Sequence, residues 1–250
     1  MKQKSACAVV VGVGAKRGIG AACCRRFAAE GMAVVVVGRS PHKIDAVAAE
    51  LRADGATAMA VACDVTRPGD VERLFVAVDD AGWRPALLVY NVGNNVVKPF
   101  LKLTPEDIET TWRQCALGGF MVAQGAIPRM LEADAPSTMV FTGATASLRA
   151  RPPFSAFAAA KAAERALAQS LAREYGPEGI HVAHVIIDGI VDGEQVDRAF
   201  KGAGRALRLA KGKNGTLQPD SVADTYWQVH QQPADAWVHE LDLRPAAESF

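Results

Sequence analysis

Runs of mostly β-branched and apolar residues recur down this chain, each separated from the next by a longer, amphipathic, alanine-rich stretch. The apolar runs fall at 7–13, 33–38, 57–63, 86–91, 138–142, 181–187 and 237–243. Strands that are hydrophobic almost without interruption have no face to give to water, so helices must cover them on both sides. Strands alternating with helices in this way are the pattern of βαβ units wound around a parallel sheet. The chain is therefore expected to be α/β, with a doubly wound, parallel, seven-stranded sheet.

Helices fit between the strands at 20–30, 41–53, 68–80, 105–131, 157–175 and 219–231, and several begin with a proline just inside the first turn, where its missing N–H costs nothing. The segment 190–214 is the exception. It carries glycines, a basic run (Arg205, Arg208, Lys211, Lys213) and only a weak helical period. It reads as a mobile substrate loop, with a merely solvated surface loop as the alternative. No linker or shift in composition divides the 250 residues, half of which are apolar, so a single domain is expected.

Charge and cysteine content exclude several functions. The formal net charge is +1 and no like-charge run stands out, so the basic footprint of a nucleic-acid or anionic-membrane binder is missing. A small-molecule substrate is expected, with no nucleic acid and no membrane as partner. The N-terminal residues lead straight into a short strand, without a spanning helix or a signal-peptide cleavage pattern, which predicts a cytoplasmic protein. Five cysteines (Cys7, Cys23, Cys24, Cys63, Cys115) without CxxC spacing suggest buried thiols, with neither disulfides nor a zinc site. His181 and His184 share an interior strand and do not suggest a metal pair.

The turn after the first strand reads Val11-Gly12-Val13-Gly14-Ala15-Lys16-Arg17-Gly18-Ile19-Gly20. Glycines between a strand and a helix let a pyrophosphate approach backbone N–H groups at the helix N-terminus, so the sheet is expected to be Rossmann-like and to bind a dinucleotide. The spacing Gly14-x-x-x-Gly18-Ile19-Gly20 differs from the ordinary triplet and resembles the glycine motif of the short-chain dehydrogenase/reductase family. Further matches follow in order: Cys63-Asp64-Val65 resembles that family's adenine-contacting segment, Asn91-Val92-Gly93 its Asn-Ala-Gly motif, and Lys161 the end of its Tyr-x-x-x-Lys helix. The resemblance covers nearly the whole chain.

At the end of the second strand, Gly38-Arg39 offers no carboxylate to hold an adenosine ribose diol. A guanidinium there suits a 2′-phosphate. Arg17 resembles the second basic position of NADP-preferring family members, with Lys16 and Ser40 as helpers. NADP(H) is the expected cofactor, and exposed charges without a ligand are the alternative reading of both arginines.

The resemblance implies an Asn–Ser–Tyr–Lys tetrad, in which the tyrosine exchanges a proton, the serine orients the carbonyl, and the lysine binds the nicotinamide ribose. Carried over one position at a time, tyrosine falls on Phe157, lysine on Lys161, serine on Ala144 and asparagine on Cys115. The cofactor half of the pattern is kept and the reaction half is rebuilt. Substitute acids are Thr145, Ser147, Ser155, Asp188 and Asp192, of which Asp188 is the most notable because a carboxylate near a dinucleotide must be protonated or paired. Each has a structural alternative: Ser155 as a helix cap, Thr145 bonded to its own backbone, and the aspartates as strand and turn ends.

These residues lead to the expectation of an oxidoreductase moving a hydride between nicotinamide and a small carbonyl or alcohol, with an unusual proton donor. A non-catalytic NADP(H)-binding protein and a reductase of activated C=C bonds are the alternatives. Val96, Phe100, Phe154, Phe157 and Trp112 would suit an apolar ligand, with ordinary core packing as the alternative. The helices at 105–131 and 157–175 resemble those that pair between subunits in this family, so a homodimer or homotetramer is expected, with faces that cover only their own sheet as the alternative.

Overall fold

The computed structural model describes residues 4–93, 95–132, 135–194, 211–212 and 214–248. Seven strands form one sheet: β1 (Ser5–Val11), β2 (Ala33–Gly38), β3 (Ala58–Ala62), β4 (Trp83–Tyr90), β5 (Ser137–Ala144), β6 (Ile180–Ile187) and β7 (Glu240–Leu243). Their order is β3-β2-β1-β4-β5-β6-β7 and every pairing is parallel. The expected α/β Rossmann-like sheet is therefore the observed one. The winding direction reverses between β1 and β4, and the crevice beyond the strand ends at such a reversal is where open α/β sheets bind ligands.

Helices α1 (Ile19–Ala29), α2 (Pro41–Ala53) and α7 (Pro219–His230) cover one face; α3 (Pro68–Asp80), α5 (Gly118–Leu131) and α6 (Ser155–Tyr175) cover the other. Each face has its own apolar core, around Phe27, Val34 and Tyr226 on one side and Phe75, Leu88 and Phe141 on the other. This is why β1 reads as an unbroken apolar run: alternate residues serve opposite cores, with Ala8 and Val10 in one and Cys7, Val9 and Val11 in the other. All five cysteines are buried and none is in a disulfide. No described helix is long and apolar enough to cross a membrane.

Several boundaries differ from the sequence expectation. β1 ends at Val11, two residues early, because the Gly12 and Val13 N–H groups both turn to the Val37 carbonyl (3.0 and 2.8 Å) and leave the ladder with β4. The single helix expected over 105–131 is α4 (Pro105–Trp112), a π-helical turn (Arg113–Leu117) and α5. The buried Tyr90 hydroxyl donates to the Gln114 carbonyl inside that turn, an acceptor a regular helix would use itself. Ser155 is the first residue of α6 and the cap position is Phe154, so Ser155 does not cap the helix as expected. Trp237 lies before β7 and stacks on His181, with ring centroids 4.8 Å apart. Most of the segment 190–214 lies outside the described residues.

Two glycines hold the first turn against the sheet. Gly12 has φ +94° and faces the Asn91 carbonyl; at Gly38 a side chain would overlap the Val13 carbonyl oxygen and crowd the Ile44 side chain. Neither neighbour of Gly38 can retreat, one being backbone and the other a buried core residue. Gly38→Ala is expected to destabilise the fold by about 3 kcal/mol, measured by urea denaturation, the upper end of ordinary overpacking.

Candidate functional site

The turn between β1 and α1 leaves an opening at the strand ends. Gly18 occupies the N-cap of α1 and no side chain caps the helix, nor does an acidic residue lie in its first turn. The first amides of α1 thus point outward with the positive end of the helix dipole behind them. Beside them, Gly14 has no described atom within 4 Å of where a side chain would begin, and its φ does not require glycine. The space is kept open at a point where the protein itself does not need it. Backbone amides, open space and glycines fit a dinucleotide pyrophosphate.

Around this opening stand the other residues singled out from the sequence. Arg39, just past β2, is exposed, and its charge acts on Asp64 beyond the end of β3. Burial pushes the Asp64 carboxyl up, but the Thr66 N–H and hydroxyl (3.0 and 2.8 Å), with Arg39 and Arg67, outweigh it and hold it below the usual carboxylate range. Val65 is buried under Gly118 of α5. Asn91 closes the crevice from β4, its amide donating to the Gly12 carbonyl at 3.3 Å. Arg17 is exposed and pairs with Asp192 at 3.1 Å, tying the glycine turn to the segment after β6.

On the far side of Asn91 the chain brings together Gly93, Phe157 and Lys161. A side chain at Gly93 would lie 3.6 Å from the Phe157 ring and 3.7 Å from Lys161 Nζ. The Lys161 ammonium sits 5.9 Å from the centre of the Phe157 ring, within cation–π range. Lys161 is 3% exposed, and the sequence suggested a ligand hydroxyl as its partner. Its partners are supplied by the protein: the Val92 carbonyl (3.0 Å), the Thr142 carbonyl (2.8 Å) and both oxygens of Glu164 (2.9 and 3.0 Å). Glu164 is fully buried and was not among the residues read from the sequence, although its place three residues after Lys161 puts the two on one helix face.

Ala144, at the end of β5, donates its N–H to the Ser147 hydroxyl (3.1 Å) and offers no side-chain polar group. Cys115 is buried in the π-helical turn, next to the carbonyl that Tyr90 engages. Asp188, after β6, is 4% exposed and accepts from the Thr145 hydroxyl (2.6 Å), Arg149 (2.6 Å) and Arg244. Burial alone would push its carboxyl up; Thr145, Arg149 and Arg244 outweigh burial and hold it below the usual range, so it is ionised at neutral pH. Thr145 thus bonds Asp188 rather than its own backbone. No described group of histidine, cysteine and carboxylate side chains could hold a metal.

A model of the short chain dehydrogenase family matches residues 8–202. The chain belongs to this family. It is similar to the oxidoreductase asL5 of Sarocladium schorii, 34% identical over 169 residues, which are 68% of this chain and 66% of that protein. The uncharacterized oxidoreductase YuxG of Bacillus subtilis is 32% identical over 215 residues, 85% of this chain. The matched region spans just under two thirds of the first relative and 30% of the second. Among solved structures, a short-chain dehydrogenase from Rhodopseudomonas palustris aligns over 96% of this chain and 98% of its own, at 35% identity and a TM-score of 0.80. A metagenomic short-chain oxidoreductase in complex with NADP shares the fold at 24% identity, with a TM-score of 0.80 over 98% of this chain and all of its own. The short-chain dehydrogenase fold binds a nicotinamide cofactor.

Behind the site lies a set of buried histidines. His184 bonds Glu240 through Nδ1 (2.9 Å), while its buried Nε2 has no hydrogen-bond partner, and burial pushes its pKa down to about 4. Burial lowers His181 and His230 as well. Between the ordinary histidine pKa near 6.5 and these depressed values the unfolded chain holds more protons than the folded one. Stability is expected to fall as pH drops from about 6.5 to about 4. His184→Asn should reduce that slope by up to about 1.4 kcal/mol per pH unit, one proton's worth, measured by urea denaturation across the range.

Proposed function

We propose that this protein is an NADP(H)-dependent oxidoreductase that moves a hydride between the nicotinamide and a small, apolar carbonyl or alcohol compound, and that it does so without a tyrosine as proton donor. The observation that carries the cofactor choice is the exposed Arg39 guanidinium at the end of β2, where no carboxylate stands to hold a ribose diol. Arg39 and Arg17 would take the 2′-phosphate, the amides from Gly14 through Gly18, Ile19 and Gly20 the pyrophosphate, Asp64 and Val65 the adenine, and Asn91, Gly93 and Lys161 the nicotinamide end. The NADP complex of a structural neighbour supports the same choice. When bound, the cofactor supplies the hydride.

The chain's own residues decide what happens to the proton. Phe157 stands at the family's tyrosine position and Ala144 at its serine position; neither can donate or accept a proton, and each leaves an apolar wall instead. Cys115 stands at the asparagine position, where its burial suits packing. Asp188 is ionised and held by two arginines, so its role in this reading is to fix the segment after β6, and the proton comes from water. The exposed apolar residues Phe100 and Trp112 lie on the element run that leads from Gly93 into α4, which fits an apolar substrate. A homodimer or homotetramer in the cytoplasm completes the reading.

Arg39→Asp should weaken NADP(H) binding at least about tenfold, near 1.4 kcal/mol, and NAD(H) binding less, as titration of both cofactors would show. Equal loss for both would overturn the assignment. The double change Phe157→Tyr with Ala144→Ser should speed NADPH oxidation by a reactive diketone on the order of a hundredfold, by adding a positioned acid beside Lys161. A double variant that folds, binds NADPH and stays inert would favour a cofactor-binding protein without turnover.

A further inference from the structure

Among the described residues, Lys161 is the one positive charge buried beside Gly93, and the protein satisfies its three donors. An ammonium has three donors, and here they meet two backbone carbonyls and one carboxylate. The two carbonyls belong to the segment after β4 and to β5, so they would fix the position of any lysine reaching this point. Glu164 does something different, because it is an acid: burial pushes its carboxyl up to about 7 against the pull of Lys161, and the pair it forms with the ammonium carries no net charge whichever of the two holds the proton. It is 0% exposed, it lies on the same helix face, and both its oxygens are spent on Lys161. Its neighbours Tyr90 and Tyr226 are buried phenols that add no charge; the next ion pair, Glu240 with Arg165, is closed by two hydrogen bonds, and His184 bonds Glu240 as a neutral ring. A carboxylate completely removed from water is retained only with such a partner.

We propose that Glu164 is a positioning residue that presents Lys161 to the nicotinamide end of the crevice as half of a neutral pair, and thereby keeps the oxidised and reduced cofactors in balance. The inference rests on the NADP(H) reading above. The oxidised nicotinamide ring carries a positive charge and the reduced ring does not. A bare ammonium in this dry corner would repel the oxidised form alone, since a charge is felt over several ångströms where water is excluded. With the carboxylate about 3 Å away, the two fields largely cancel at the distance of a ligand.

The test is the ratio of dissociation constants, Kd(NADP+)/Kd(NADPH), measured by fluorescence or calorimetric titration at fixed salt. In Glu164→Gln, which keeps the shape and removes the charge, the ratio should rise at least about fivefold while NADPH affinity stays within about threefold, a split that general loosening of the fold would not produce. The double variant Lys161→Met/Glu164→Leu removes both charges and provides a second test should the single variant not fold. Its ratio should stay within about twofold of the native value, since one neutral pair replaces another. An unchanged or lowered ratio in folded Glu164→Gln overturns the inference. So does a ratio that falls about fivefold in the double variant, because Lys161 would then have been acting as a bare cation. A native protein that binds neither cofactor overturns the NADP(H) reading and this inference with it, whereas binding of both by the native protein leaves the ratio as a test of Glu164 alone.

Discussion

A parallel sheet buried on both faces leaves polar chemistry only one place to go. Every strand interior is committed to one of two apolar cores, so groups that must meet water, ligand or charge collect at the strand ends, and the reversal between β1 and β4 opens those ends into a crevice. The glycine turn, Arg39, Asp64 and Asn91 all stand there because each follows the last residue of a strand. The crevice is a consequence of how the sheet is covered.

The same constraint explains the cost of the few polar groups found deeper in. Lys161, Glu164, His184 and Asp188 are nearly or wholly without solvent, and each is tied to a partner of matching chemistry. In the corner around Lys161, Phe157 supplies a ring face and Glu164 a carboxyl group. The ring face offers Lys161 no counter-charge, so the buried ammonium depends on Glu164 for neutralisation.

The π-helical turn links the two halves of the site. Tyr90 ends β4 just before Asn91, and its hydroxyl reaches across to the Gln114 carbonyl, beside Cys115. A side chain at the end of β4 thereby sets the local path of the helix that carries Cys115. The glycines at 118 and 119 let that helix lie against the Tyr90 ring.

Much of this was legible in the sequence alone. Hydrophobic periodicity is a local property, so the strands and most helices could be placed, two of the helices to the residue, and the glycine spacing with Asp64, Asn91 and Lys161 gave the family. Gly14 pointed to the crevice, because among the described residues neither packing nor φ demands glycine there, which fits the approach of a ligand. What the sequence left undecided were the pairings. Whether Lys161 faces a ligand or Glu164, and whether Asp188 is a free acid or the partner of Arg149 and Arg244, depends on which groups packing brings within 3 Å, and Arg244 lies 56 residues from Asp188 in the chain. Where helix 105–131 would break was equally hidden, since the hydroxyl that takes the Gln114 carbonyl comes from another strand. Periodicity fixes which side of an element is buried; only the tertiary structure decides which charge meets which, because electrostatic energy depends on distance and on the exclusion of water, and neither is written in the order of the residues.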